Sequence, residues 1–237
     1  MDTLAVVLKE LRIRLTADKA AALARYAAMI RAERERSALI SRRSLDLIEQ
    51  RHFAESLSLL GALEERGLLQ SPALDIGSGA GFPGLPIKIA RPGLRLTLLE
   101  SNEKKAAFLE RVITELSLDG AGVVTARAED AGRLPEHRAA YALVLARAVA
   151  PLRVLAELAL PFLAIDGVLA APKGSAALRE VREAQAALEK LGGTVEEALL
   201  LKVPGQERAP TLLIVRKVGA TPERYPRRPG IPRKRPL

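Results

Sequence analysis

The sequence predicts an α/β protein: helices first, then a mostly parallel sheet, then an antiparallel hairpin that closes it. Three observations support this reading. Residues 1–70 contain no proline and no glycine before Gly61, and their apolar residues recur at three- and four-residue steps. From Ala73 short apolar runs alternate with helical ones, the pattern of βαβ units. After Gly192-Gly193 two β-rich runs are joined by only Pro204-Gly205-Gln206-Glu207-Arg208, too short for the crossover that a parallel pair needs.

In chain order, Leu4, Val7, Leu8 and Leu11 form one apolar stripe, and Leu23, Tyr26, Ala27 and Ile30 a second. Thr16 is placed to cap the second helix, and Ser44 to cap a later one running through Leu45, Leu47 and Ile48. Between them Arg31-Ala32-Glu33-Arg34-Glu35-Arg36 reads as a solvated, salt-bridged helix end. Strands are expected at 73–76, 94–99, 122–125, 141–145 and 167–171, the first of these strands nearly all apolar, as expected when helices cover both faces. Helices are expected at 103–116, with Phe108, Leu109, Val112, Ile113 and Leu116 inward, and at 152–160 and 176–191. The runs 194–203 and 210–218 form the hairpin. An otherwise parallel, seven-stranded sheet that ends this way is the Rossmann-like class I methyltransferase arrangement, whereas dehydrogenases typically continue with a second βαβ half.

The chain divides into a helical region at 1–70, a core at 71–220 and a basic, proline-rich arm at 221–237. With five prolines the arm can be neither helix nor interior strand, and it holds six positive charges. It is expected to extend and reach phosphates through Arg227, Arg228, Arg233, Lys234 and Arg235.

The chemistry concentrates at Leu74-Asp75-Ile76-Gly77-Ser78-Gly79-Ala80-Gly81-Phe82-Pro83-Gly84, a strand, a tight turn and a helix start. Glycines take positive φ without cost and let a ligand approach the backbone, and the turn delivers that ligand to the positive end of a helix. Gly79 to Gly84 also matches the dinucleotide fingerprint, with Glu100 at a ribose-binding distance. Asp75 tilts the reading. A carboxylate there repels a pyrophosphate but suits S-adenosyl-L-methionine, whose methionine end carries an ammonium and a sulfonium.

Composition limits the alternatives. A formal net charge of +9 over 237 residues favours a polyanionic partner. The absence of cysteine excludes disulfides and thiolate chemistry, and two histidines are too few for most histidine-built metal centres. No apolar run approaches membrane-spanning length, and the start lacks the character of a signal peptide, so a cytoplasmic protein that avoids membranes is expected.

Leu74 to Lys88, with Arg51-His52-Phe53-Ala54-Glu55-Ser56-Leu57, Ala146-Arg147-Ala148-Val149-Ala150-Pro151-Leu152, Pro172-Lys173-Gly174 and the tail from Tyr225, resembles the bacterial 16S ribosomal RNA guanine-N7-methyltransferase G family (RsmG/GidB). The likeness runs over nearly the whole chain, in order. The family's Asp in the Arg-His motif is Glu55 here. The resemblance implies an S-adenosyl-L-methionine-dependent enzyme that methylates N7 of one guanosine in 16S ribosomal RNA or the small ribosomal subunit; a monomer is expected. It also implies cofactor contacts from Gly77, Phe82, Glu100, Ser101, Asn102, Ala128, Glu129 and Arg147.

The residues themselves support that set and add Asp75, Gly79 and Gly81 from the turn. Glu100 ends the second strand, where a carboxylate can accept from both ribose hydroxyls. Arg147 and Lys173 follow the fourth and fifth strands, at the carboxyl edge where α/β sheets bind ligands. Arg51 and His52, on one helix with Glu55, are assigned with Lys173 to the RNA side. Guanine N7 has a free lone pair and no proton to lose, so no catalytic base is named and catalysis rests on alignment. The alternatives are methylation of another RNA and a non-catalytic RNA-binding protein on the same scaffold.

Overall fold

The computed structural model describes residues 3–11, 13–33 and 48–237. Arg34, Glu35 and Arg36 of the charged helix end, and the Ser44 cap with Leu45 and Leu47, lie outside the described residues.

Helix α1 (Thr3–Glu10) buries Leu4 and Val7, and α2 (Ala17–Ala32) buries Leu23, Tyr26, Ala27 and Ile30, the predicted stripes. Thr16 stands at the N-cap of α2 with extended backbone, but its side chain makes no capping bond. A π-helical stretch, Ile48–Phe53, runs directly into α3 (Ala54–Glu65). α3 is buried on most of its circumference, Ser56 and Ser58 included, because it packs against α1, the π-helical stretch and the helix Gly84–Ala90. Ser56 resolves its polar atom locally by donating to the His52 carbonyl at 2.7 Å.

The sheet strands are β1 (Ala73–Ile76), β2 (Leu96–Glu100), β3 (Ala121–Thr125), β4 (Tyr141–Leu145), β5 (Leu163–Lys173), β6 (Gly193–Leu200) and β7 (Thr211–Lys217). Their spatial order is β3-β2-β1-β4-β5-β7-β6, with β7 antiparallel to both of its neighbours and the rest parallel. The helices of the core are α4 (Gly84–Ala90), α5 (Glu103–Glu115), α6 (Ala128–Ala131), α7 (Leu152–Ala159) and α8 (Ala177–Leu191), with a single turn, α9 (Ile231–Lys234), in the tail. β5 is longer than the five residues expected, since its outer half pairs along β7 as far as Lys173. Among the described residues no helix is long and apolar enough to cross a membrane.

Period-two alternation divides the buried side chains between two faces. Leu96, Leu98, Leu143, Leu145, Val168, Ala170, Leu212 and Ile214 point into one cluster, which they share with α1, α2 and α3. Leu74, Ile76, Leu99, Val144, Leu169, Leu213 and Val215 point into the other, against α7 and α8. The N-terminal helices therefore pack into the same core as the sheet face beneath them.

The tail departs from the extended arm that the sequence suggests. Tyr225 is buried in the second cluster, and Arg138 donates to the carbonyls of Tyr225 and Thr221, each at 2.8 Å. Arg227 forks onto Glu157 of α7, a carboxylate only 1% exposed, with Nε at 2.8 Å and Nη2 at 2.5 Å. Prolines do exclude regular structure here, but they leave carbonyls for Arg138 to satisfy, and the buried Glu157 requires a cation. The tail is docked. Arg228, Lys234 and Arg235 remain exposed on its outer surface.

Candidate active site

β1 lies at the centre of the sheet between β2 and β4, so the crevice at its carboxyl end is the switch point where ligands bind in open α/β sheets. The chain turns there through Gly77, Gly79 and Gly81, with φ of +66°, +60° and +102°. At Gly81 only glycine fits: a Cβ would collide with the Leu85 side chain and lie 2.6 Å from the Tyr26 hydroxyl. Tyr26, from α2, donates a short hydrogen bond to the Ala80 carbonyl and so pins the turn from below. The neighbouring strand pins it from the side, as the Gly77 and Ser78 N–H groups both donate to the Leu99 carbonyl.

Two clefts open around this turn. The smaller, about 370 Å³, lies over the ends of β1, β2 and β3 and is lined by Ile76, Leu99, Ser101, Ala128 and Glu129, with Pro229, Gly230 and Arg233 of the tail. The larger, about 1040 Å³, runs over β4 and β5 and holds Arg51, His52, Glu55, Gly79, Phe82, Arg147 and Lys173. Gly77 and Val149 line both, so the clefts meet at the turn.

The sequence-predicted residues fall into three groups. Gly77, Gly79, Phe82, Ser101, Ala128, Glu129 and Arg147 line the clefts from the cofactor set, and Arg51, His52, Lys173 and Arg233 from the substrate set. Asp75, Gly81, Glu100 and Asn102 stand behind the lining. Asp75 is fully buried, with Oδ2 accepting the Gly84 N–H at 3.0 Å. It therefore sits beneath the turn and does not face into either cleft as expected. Glu100 accepts the Gly79 N–H at 2.9 Å and the Asn102 N–H at 2.8 Å, tying the turn to the start of α5. Asn102 serves as the N-cap of α5, accepting from the Lys105 N–H at 3.1 Å. The third group, Arg227, Arg228, Lys234 and Arg235, lines neither cleft. Arg227 is held by Glu157, and Arg233, moved from the RNA side to the smaller cleft, donates to the Val149 carbonyl at 3.1 Å.

Burial sets the electrostatics. Desolvation raises the Asp75 carboxyl to about 7, opposed by the Gly84 hydrogen bond and by Arg147. Desolvation lowers His52 to about 3, assisted by Arg147 and Arg51, so its imidazole is neutral at physiological pH. His52 stacks on Phe82 at 4.9 Å, and Arg147 lies over the same ring at 5.2 Å while its Nη1 reaches Glu55 at 3.3 Å. Lys173 donates to the Ala150 carbonyl at 2.5 Å and pairs with Glu180 at 2.9 Å. Among the described residues no group of three acidic or histidine side chains is arranged to hold a metal ion.

Sequence reasoning missed Arg127, Pro229 and Gly230 in the smaller cleft, and Gln206 and Arg208 in the larger. Arg208 stands next to Glu207 in a hairpin connection of no net charge, so composition gave no signal for it. Nothing local signalled the tail, because its place depends on a partner 70 residues away in the chain.

The model of the GidB family, "rRNA small subunit methyltransferase G", matches residues 19–208. The chain belongs to this family. It is a methyltransferase. A small subunit ribosomal RNA methyltransferase G of Pelotomaculum thermopropionicum is 49% identical over 188 residues, 79% of this chain and 77% of its own. A second family member, from a Roseiflexus species, is 46% identical over the full length of both chains. Among solved structures, a mutant of MtNAS in complex with S-adenosylmethionine superposes with a TM-score of 0.57 over 81% of this chain and 72% of its own. At 18% identity it shares the fold.

Proposed function

We propose that this family member transfers a methyl group from S-adenosyl-L-methionine to N7 of a guanosine in 16S ribosomal RNA, free or within the small subunit. The observation that carries the reading is the meeting of two clefts at the glycine turn: one sized and lined for a nucleoside, the other wide, basic and open.

The residues suit the donor. A Cβ on Gly79 would meet only the Gly77 carbonyl, at 3.8 Å, so bare backbone faces the cleft. Glu100, 7% exposed between Leu99 and Ser101 of the lining, already accepts two N–H groups, and a carboxylate has about four acceptor positions, which leaves two for ribose hydroxyls that reach past that lining. Ile76, Leu99 and Ala128 provide apolar walls for the adenine, and Glu129 is anchored beside them by the Gly230 N–H at 3.0 Å. When bound, S-adenosyl-L-methionine supplies a methyl group on a positively charged sulfur. Arg51, Arg147 and Arg208 attract the RNA to the open cleft. N7 has no proton to surrender, so the chain supplies alignment and needs no general base.

Purified protein is incubated with labelled S-adenosyl-L-methionine and either naked 16S RNA or small subunits, and the product nucleoside is mapped. Appearance of 7-methylguanosine at one position is the expected result. A protein that binds the donor but labels neither substrate, or labels another atom, refutes the reading.

A further inference from the structure

A carboxylate in a cleft that admits a polyanion needs a partner of its own, since phosphates and base acceptors repel it. The larger cleft contains two. Glu180 is held by two partners on Oε2, accepting the Leu152 N–H at 2.8 Å and pairing with Lys173 at 2.9 Å. Glu55 is held more loosely. It stands in the first turn of α3, its side chain 16% exposed, and meets Arg147 at 3.3 Å, longer than a tight charge-assisted bond. Arg147 is itself drawn toward the Phe82 ring, so Glu55 retains acceptor capacity that opens into the cleft.

An ionised carboxylate only accepts. Among the four RNA bases, guanine alone presents two adjacent N–H donors on its Watson–Crick edge, N1–H and the N2 amino group, at a spacing that matches two carboxylate oxygens. We propose that Glu55 reads the target base by accepting from this pair, an inference that rests on the guanosine-N7 reading above. N7 lies on the opposite edge of the purine, so a guanine held in this way leaves N7 free to face the glycine turn. Adenine, with an acceptor at N1, and the pyrimidines cannot make the pair.

The contact also strengthens as the reaction proceeds. Methylation of N7 moves a positive charge onto the guanine ring, because the donor's carbon–sulfur bond breaks as the N7–carbon bond forms. N1–H and the N2 amino group become stronger donors, and their bonds to Glu55 tighten in the transition state, where tightening raises kcat.

The test replaces the mapped guanosine with inosine, which keeps N1–H, O6 and N7 but lacks the N2 amino group. Wild-type protein should lose about 10- to 100-fold in kcat/KM on inosine, the cost of one leg of a bidentate base contact. Glu55→Gln should lower kcat on guanosine by about tenfold or more with little change in KM, and should flatten the guanosine-to-inosine ratio. Glu55→Asp should restore part of both. Donor affinity and melting temperature of Glu55→Gln should match wild type. Equal wild-type rates on the two bases, a ratio that survives Glu55→Gln, or a variant that loses donor affinity or stability would each overturn the assignment. Failure of wild type to methylate guanosine at N7 would instead refute the reading on which it rests.

Discussion

Arg227→Ala tests whether the tail is part of the folded enzyme. In the structure Glu157 receives the Arg227 backbone N–H at 2.8 Å and three side-chain hydrogen bonds from the same residue. Removing one partner of a buried pair costs about 3–5 kcal/mol, because the other charge stays buried alone. The Arg227 side chain is 26% exposed and its backbone donor survives the substitution, so the lower figure, about 2–3 kcal/mol, is expected. For a chain of this size that lowers the melting temperature by about 4–12 °C. The loss should reach the cofactor site as well, because the released tail withdraws the Gly230 N–H from Glu129 and Arg233 from the smaller cleft. Titration calorimetry should show S-adenosyl-L-methionine binding weakened by about tenfold, the worth of one charged hydrogen bond. The double variant Glu157→Leu/Arg227→Met should recover most of the melting temperature, since an apolar pair of similar volume avoids the uncompensated charge. An Arg227→Ala protein with unchanged melting and unchanged donor affinity would show that the tail is not docked, and the description of the smaller cleft would fail with it.

Other positions give independent checks. Glu100→Gln should weaken donor binding by roughly tenfold or more, as a neutral amide replaces an acceptor of two backbone donors and, on the proposed reading, of the ribose; unchanged calorimetric affinity would contradict this. Gly81→Ala should cost more than about 2 kcal/mol in urea unfolding, through its positive φ and the collision with Leu85 and Tyr26, and a stable Gly81→Ala protein would refute the packing of the turn. Asp75→Asn keeps an acceptor for Gly84 and should change the pH dependence of stability. In wild type the raised Asp75 contributes stability that is complete below its unfolded value of 3.8 and lost as pH rises to about 7. His52 acts in the opposite sense: lowered to about 3, it withdraws stability as pH falls below 6.5. The two slopes oppose each other between 3.8 and 6.5, so the Asn variant should lose stability more steeply on acidification than wild type. Parallel stability curves from denaturant titrations across that range would refute the assignment.

Much of this site is legible locally. The turn from Gly77 to Phe82 announces itself because positive φ and close backbone approach restrict the residue type, and Glu100 and Arg147 follow from their places at strand ends. Asp75 shows the limit of such reasoning. The sequence placed its charge opposite a cationic ligand, yet its side chain is buried behind the turn with Oδ2 accepting the Gly84 N–H, an arrangement set by how α4 leaves the loop. Lys173 likewise sits at the right edge but shares its charge with Glu180 in the first turn of α8, a pairing set by how that helix turns back from the end of β5.

The basic tail marks the division most clearly. Charge and proline content are properties of the segment itself, and they determined that it is cationic and irregular. Short apolar runs, glycine placement and the short hairpin connection likewise determined the strand sequence, the sheet type and the glycine turn, because each reflects backbone geometry within a few residues. Where the cations go is a different matter. Arg227 is claimed by a carboxylate that α7 buries, Arg233 reaches the Val149 carbonyl, and Gly230 meets Glu129 across the crevice. Only the tertiary structure decides these pairings, since the cost of burying Glu157 without a partner is incurred only once the chain has folded around it.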